Sequence, residues 1–361
     1  MKITRIDSRI VRLPYEEPLA GGPVPAGATR DFVTLTMQTD AGVAGIGVTF
    51  FGSALVATLK HAVDELGALT LGEDPLRSEA IVSKLRAAAG TTGPGGIFTL
   101  ALSAIDIALW DIKGKALGLP VWKLLGGHRD RVPTYASGAL MREFPVDHLE
   151  KAAARLVERG FRQMKTQMGG EAYPAREVER IRRIRESVGD AIDVMCDINQ
   201  KWSVQTAISV GQQVERYHLY WLEDVTAHDD YPGLARVAEA LATPIAAGEY
   251  VYGIVPFRHM MEARSVDIVM IDLVRVGGIT QWRKVAGMAE AFNLPVVSHL
   301  LPEIHVHLVA AMPNGLTVEY MPWSLRLYEE TPQMKDGMLT VPQQPGLGLK
   351  FNDEVLKRYG A

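Results

Sequence analysis

Eight short apolar runs, alternating with amphipathic helical stretches, constrain this chain more than any other feature. The runs begin at Pro133, Gln163, Ile192, Leu219, Pro244, Asp267, Pro295 and Leu316. Between them lie helices with readable faces and ends. Leu149, Ala153, Leu156 and Val157 share one face of a helix that ends at Gly160, and Val178, Ile181, Ile184 and Val188 share a face that stops at Gly189. Ser203 and Thr280 are predicted N-caps of later helices. Strand–helix units in unbroken series predict a parallel sheet, and eight of them close into a (β/α)8 barrel. An open doubly wound sheet is the alternative; the unbroken series favours closure.

A barrel of about 200–250 residues leaves roughly 100 of the chain's 361 for something else. The first 130 residues read as α+β. Phe32 to Val48 alternates about Asp40-Ala41-Gly42, a hairpin signal. Helical patterns follow at Gly52–Leu66, Pro75–Ala88 and Ile97–Ala116, the last apolar on most sides and so expected to be buried. The Gly/Pro-rich stretch from Leu19 to Arg30 is a candidate mobile loop. Past Pro322 the periodicity fades into turn signals at Asp336-Gly337 and Pro345-Gly346-Leu347-Gly348, with a short helix near Glu354. The expected division is therefore residues 1–130, a barrel over 131–322, and a segment over 323–361 that returns to the N-terminal part.

Composition removes several function classes. The 38 Lys+Arg against 42 Asp+Glu give a net charge of −4, which offers no polycation for nucleic acid and no basic stretch for a membrane. Hydrophobic residues at 47% and charged residues at 22% describe a globular chain. The single cysteine, Cys196, excludes an intrachain disulfide and a thiolate metal site. No apolar run approaches the roughly 18 residues of a membrane span. The opening MKITRIDSRIVRLP is broken by Arg and Asp and has no secretory core. A soluble cytoplasmic protein is expected.

The chemistry sits where the strands end, the face on which barrels of this kind carry their active sites. Asp197, Glu223 and Glu249 follow one another at 26-residue intervals, one per unit. Each acid alone could merely start a loop or cap a helix. Three in register would repel strongly without a cation among them, and an all-oxygen set suits Mg²⁺. The next strand ends are Asp272 and His299, a carboxylate beside an imidazole, as in an oriented general base. Glu319 ends the eighth strand. Lys165 and Gln167, two apart on the second strand, share a face and point into the mouth. Three carboxylates, Mg²⁺ and Lys165 nearly cancel, leaving a floor on which a substrate carboxylate could bind with its α-proton acidified.

These residues resemble the enolase superfamily in its mandelate racemase-like subgroup. The likeness runs through ALSAIDIALWDIKGKALGLPVWKLLGG, MKTQMGG, MCDINQKW, WLEDV, AAGEY, MIDLVRVGGITQW and VSHLLPEIHVHL, in order, over nearly the whole chain. It implies an α/β fold, a modified (β/α)8 TIM barrel with an N-terminal α+β capping domain completed by the C-terminal tail. It implies Asp197, Glu223 and Glu249 as Mg²⁺ ligands, His299 and Asp272 as the catalytic dyad, and Glu319 as the acid hydrogen-bonded to the substrate carboxylate. Lys165 matches the first lysine of the family's Lys-x-Lys motif, as a base or an electrostatic stabiliser. Asn199 matches a residue that contacts a substrate hydroxyl or the metal shell. A homo-oligomer is common in this family.

Two positions depart from the pattern. The second motif lysine is Gln167, which cannot take a proton near neutral pH. The acidic-acidic-Pro after the fourth strand reads Glu223-Asp224-Val225. With one evident base, β-elimination gains on racemisation. The leading expectation is a Mg²⁺-dependent dehydratase of an aldonic or aldaric acid, giving a 2-keto-3-deoxy acid, with a small carboxylate as its partner. A racemase or epimerase is the first alternative and a non-catalytic acid-sugar-binding relative the second.

Further residues carry smaller expectations. Phe50 and Phe51 touch substrate from the cap or pack within it, and Arg30 pairs a distal carboxylate. Cys196, pointing away from Asp197, is a core residue. His305 and His307 pack and do not ligate. Lys201 and Trp202 line the pocket or a solvated loop.

Overall fold

The computed structural model describes residues 1–361. The chain opens with an antiparallel sheet of three strands in the order β1 (Ile3–Pro14), β2 (Thr29–Thr39) and β3 (Ala44–Thr49). The expected hairpin joins β2 to β3, with Gly42 at φ 73° in its turn. β1 escaped the periodicity reading because it is an edge strand, paired only with β2, and among its residues only Ile3, Val11 and Leu13 are fully buried.

Helices Val56–Ala68, Ser78–Ala88 and Ile97–Leu117 follow. The third is buried almost all round, as its composition predicts, and wedges between the sheet and the barrel. Glycines let it approach β3: a Cβ on Gly47 would lie 1.9 Å from the Ala104 carbonyl oxygen. Two of its buried acids staple the parts together. Asp106 accepts from the backbone N–H of Thr280 at 2.8 Å and from its hydroxyl at 2.5 Å, and that hydroxyl accepts from Trp110 Nε1 at 2.8 Å. Thr280 is therefore not the expected N-cap. Gly278 takes that position, and the threonine hydroxyl is spent across the interface.

Asp111 accepts from the N–H of Ile46 at 3.0 Å and of Leu347 at 2.9 Å, and pairs with Lys115 at 2.6 Å. One carboxylate thus joins sheet, helix and C-terminal tail. Asp111→Ala strands two buried N–H donors and a lysine. We expect a loss of about 3 kcal/mol in denaturant unfolding; an unchanged midpoint would remove this staple from the account.

The barrel strands are β4 (Arg131–Leu140), β5 (Gln163–Gln167), β6 (Asp193–Asp197), β7 (Leu222–Glu223), β8 (Ile245–Ala247), β9 (Ile268–Asp272), β10 (Val296–His299) and β11 (Val318–Tyr320). They pair in parallel from β4 through β10, β11 pairs back on β4, and a bridge between Val296 and Gly315 brings β10 against the start of the last unit. Seven helices alternate with them: Val146–Glu158, Pro174–Val188, Val204–Val214, Tyr231–Ala240, Val255–Glu262, Ile279–Ala291 and Pro302–Ala311. Ser203 caps the third of these, accepting from Thr206 N–H at 3.1 Å. After β11 no eighth helix forms; a single 3-10 turn at Leu325–Leu327 leads into the tail.

Tyr135, Met195, Trp221, Ala246, Ile268, Met270 and Val297 fill the barrel interior. The tail adds β12 (Met334–Lys335) and β13 (Met338–Thr340), and β13 pairs antiparallel with the start of β4. Its last helix, Asp353–Tyr359, ends on β1, where Ala361 N–H donates to the Ile10 carbonyl at 3.0 Å. No helix is long and apolar enough to cross a membrane.

Candidate active site

Parallel register sets the site. Gln167, Asp197 and Glu223 are lateral partners across β5, β6 and β7, and His299 is the partner of Asp272 across β10 and β9. Met195 lies in the interior, so Asp197, two residues on, points into the mouth while Cys196 points into the helix layer. Cys196 is a buried core residue, as alternation predicts.

Alternation would also send Asp224 outward from its neighbour Glu223. Asp224 instead has φ 44°, a left-handed backbone rare for a residue with a side chain, and is buried completely. Oxygens of Asp197, Glu223 and Asp224 lie within 4.8 Å of one another. The structure therefore groups Asp224, the second acid of the Glu223-Asp224 pair, with Asp197 and Glu223, while Glu249, the third expected ligand, stands outside that group and turns an oxygen to His299.

Lys165 balances part of this charge. Its Nζ lies 2.7 Å from Glu223 Oε1, 2.8 Å from Glu319 Oε1 and 4.0 Å from Asp197 Oδ2. Burial alone would lower the lysine pKa; Glu223 and then Glu319 outweigh it and hold the ammonium well above its ordinary range. In the metal-free arrangement that ammonium is held between the two carboxylates.

Glu319 accepts from Leu300 N–H at 2.6 Å with its other oxygen. Burial would raise its pKa, but Lys165 and His299 keep it ionised. In this arrangement it orients Lys165 and the loop that follows His299.

The dyad is formed. His299 Nδ1 lies 2.6 Å from Asp272 Oδ2 and Nε2 lies 2.9 Å from Glu249 Oε2. The other oxygen of Asp272 accepts from Val274 and Arg275 N–H, at 2.9 and 2.7 Å, as the N-cap of a short helix, Leu273–Val276. A carboxylate held this way fixes the proton on Nδ1, and Nε2 is turned to Glu249. Burial would lower the imidazole pKa; Glu249 first and Asp272 next outweigh it and raise it well above the ordinary value. Glu249 responds in kind: burial pushes it up, but His299 brings it down to about 2.

A hard cation fits the acids. Neither oxygen of the fully buried Asp224 has a hydrogen-bond partner, and an unpaired buried carboxylate is costly. Burial raises Asp197 to about 6 and Glu223 to about 8, and Asp224 well above the carboxylate range. The donor set is all oxygen, which suits Mg²⁺. A cation must displace protons held by these raised acids, so affinity should increase as pH rises from about 6 to about 8. Calorimetry in two buffers of different ionisation enthalpy should show about two protons released per Mg²⁺ near pH 7, from Glu223 and Asp224; binding without release would contradict this. The sign for stability runs the other way. A carboxylate raised on folding destabilises the metal-free fold as pH rises from its unfolded value toward about 8 for Glu223.

Gln167 turns to Asn199, donating from Nε2 to Oδ1 at 3.1 Å, and Arg142 donates to the same oxygen. Asn199, at φ 47°, in turn gives its N–H and its Nδ2 to the two oxygens of Asp197, each at 2.7 Å, and meets the Tyr250 hydroxyl at 3.2 Å. It is thus a clamp on a proposed metal ligand.

Phe50 is a cap core residue, packed on Phe32, and Phe51 reaches the barrel instead, stacked on Arg275. Arg30 is not at the acids. It lies between the Tyr15 and Trp323 rings and lines a cavity of about 250 Å³ with Arg159 and Arg326. His305 and His307 are fully buried and bond to the Leu300 and Leu347 carbonyls at 2.6 and 3.0 Å, so both pack. Arg142, Tyr250 and Arg275 escaped the sequence reading. The VRVGG after Asp272 held the one signal, an arginine within a turn of the strand end that carries Asp272.

Known proteins carry the same frame. A family model described as the mandelate racemase / muconate lactonizing enzyme N-terminal domain matches residues 17–126, and one described as enolase C-terminal domain-like matches residues 148–355. The chain belongs to the mandelate racemase-like branch of the enolase superfamily. A 3,6-anhydro-alpha-L-galactonate cycloisomerase of Streptomyces coelicolor is 34% identical over 99% of each chain. An L-talarate/galactarate dehydratase of Salmonella typhimurium is 32% identical, covering 95% of this chain and 87% of its own. The crystal structure of an L-talarate dehydratase from Polaromonas, complexed with Mg and L-glucarate, superposes with a TM-score of 0.92 at 32% identity, over 100% of this chain and 97% of that one. As a member of this superfamily, the chain has the family's barrel together with its N-terminal sheet domain.

Proposed function

We propose that this protein is an acid-sugar dehydratase that removes the proton α to a carboxylate and expels the β-hydroxyl as water, giving a 2-keto-3-deoxy acid. The observation that carries this is one-sidedness. His299 stands at the mouth with Nδ1 held by Asp272, and Gln167, where the family's second base would stand, is bonded to Asn199 and takes no proton near neutral pH.

Asp197, Glu223 and Glu249, with Asp224 beside them, would hold Mg²⁺, which would neutralise the substrate carboxylate and the charge that grows on it as the proton leaves. Lys165 offers that carboxylate a fixed ammonium. His299 Nε2 takes the α-proton, and Asp272 stabilises the imidazolium through Nδ1. The same Nε2–H then protonates the departing β-hydroxyl as the Cβ–O bond breaks, so the proton removed leaves in water and the enol ketonises. One base serving both steps requires the proton and the hydroxyl on one face.

The relatives support the class: dehydratases of talarate/galactarate, arabinonate and xylonate lie among them. The test is a panel of aldonic and aldaric acids with Mg²⁺ in D₂O, with 2-keto acid as the expected product. Deuterium at the α-carbon of recovered substrate, with its skeleton intact and no keto acid formed, would favour epimerisation and reject this reading.

A further inference from the structure

Arg275 joins the cap to the strand ends of the site. Its guanidinium carbon lies 3.8 Å from the centre of the Phe51 ring and 4.9 Å from that of Tyr250. Nη1 donates to the Glu249 carbonyl at 2.7 Å, and its own backbone N–H donates to Asp272 at 2.7 Å. The guanidinium therefore lies against two rings while one of its N–H groups holds the peptide of a proposed metal ligand. One ring belongs to the barrel and the other to the cap. Phe51 lies just past β3, stacked on Phe50 at 4.8 Å, and Phe50 is anchored on Phe32 at 4.9 Å. On the barrel side, the Tyr250 hydroxyl meets Asn199, whose N–H and Nδ2 hold both oxygens of Asp197.

We propose that Arg275 is a positioning residue that couples the seating of the cap loop carrying Phe51 to the arrangement of Glu249 and Asp197. With Phe51 in place, the guanidinium is held against two rings and its Nη1 fixes the Glu249 peptide. With Phe51 withdrawn, the nearer of those rings is lost and that peptide loses its rigid donor. Coupling of this kind is reciprocal: whatever the ring contributes to the acids, a cation on the acids returns to the ring. The inference rests on the acids holding a divalent cation. It adds that the cap contributes to that binding before any substrate arrives.

The probe is Mn²⁺ alone, with its free fraction read by electron paramagnetic resonance, on the full chain without substrate. Phe51→Ala and Arg275→Met should each weaken binding about fivefold to tenfold, and the double variant should be no weaker than Arg275→Met. Arg275→Lys should not rescue, because an ammonium has no flat face. Limited proteolysis supplies the reverse reading: Mn²⁺ should protect the chain around Phe51 in the natural protein and fail to do so in Arg275→Met. Affinities within about twofold of the natural protein in the single variants, or losses that add, would overturn the proposal. If Arg275→Met does not fold by circular dichroism, Phe51→Ala decides alone. Absence of Mn²⁺ binding by the natural protein would instead overturn the cation reading beneath it.

Discussion

His299→Asn should lower turnover by about a thousandfold or more, the scale of a lost general base, and leave cation binding intact or stronger. Both halves follow from its two contacts. Nδ1 is held by Asp272 at 2.6 Å and Nε2 faces Glu249 at 2.9 Å, so the ring is the proposed proton acceptor when neutral and, when protonated, a competitor for a proposed metal ligand. Asparagine fills much of the volume but takes no proton. Freed of the imidazolium, Glu249 becomes a better partner for Mg²⁺. The measurements are kcat on the substrate found in the acid-sugar panel, exchange of the α-proton with D₂O, and Mg²⁺ affinity by calorimetry. Retained exchange in this variant would mean that another group removes the proton, with Lys165 the first to test.

The second large effect is on stability. Lys165→Met should cost about 3–5 kcal/mol in the metal-free protein, because it leaves Glu223 and Glu319 buried without their shared counter-ion. The raised lysine pKa makes its own contribution level with pH. A group raised on folding stabilises fully below its unfolded value near 10.5 and loses that only as pH climbs through the higher folded value. The pH dependence comes instead from the acids. At about pH 5 Glu223, raised to about 8, takes a proton and the missing ammonium matters less; at pH 8 the loss is larger. Mg²⁺ should restore part of it by supplying positive charge to the same oxygens. Urea unfolding at both pH values, with and without Mg²⁺, checks each statement. A loss independent of both pH and Mg²⁺ would show that Lys165 matters for packing and not for charge.

Much of the fold was legible. All eight apolar runs became strands, because a barrel strand is buried on both faces and advertises itself as a short continuous run. The buried helix Ile97–Leu117 was legible for the same reason. β1 was not, since a half-exposed edge strand carries Arg and Asp between its apolar residues. Nor was the missing eighth helix foreseeable, because the Pro- and turn-rich tail gives no signal for what replaces it. Thr280 shows a local rule overridden: a residue with good capping chemistry was taken by a buried carboxylate far away in sequence.

The same division holds at the site. The strand-end residues were readable because period and register are local properties. A regular repeat of strand and helix returns the chain to the same height, so Asp197 meets Glu223 and Asp272 meets His299 as lateral partners. By itself, the sequence determined the barrel and the residues that end its strands; the roles proposed for them, and the second base that Gln167 would replace, came from the family resemblance.

Tertiary structure alone decided how those groups are used. Asp224 enters the cluster through a left-handed backbone that alternation denies. Glu249 turns one oxygen to His299, and Lys165 bridges Glu223 and Glu319. Phe51, not Phe50, meets the barrel, and Arg30 stays in the seam between Tyr15 and Trp323. The physical reason is common to all five. Periodicity fixes which face of an element a side chain leaves from, whereas its partner is chosen by charges and rings from elements distant in sequence, whose approach only the packed fold defines.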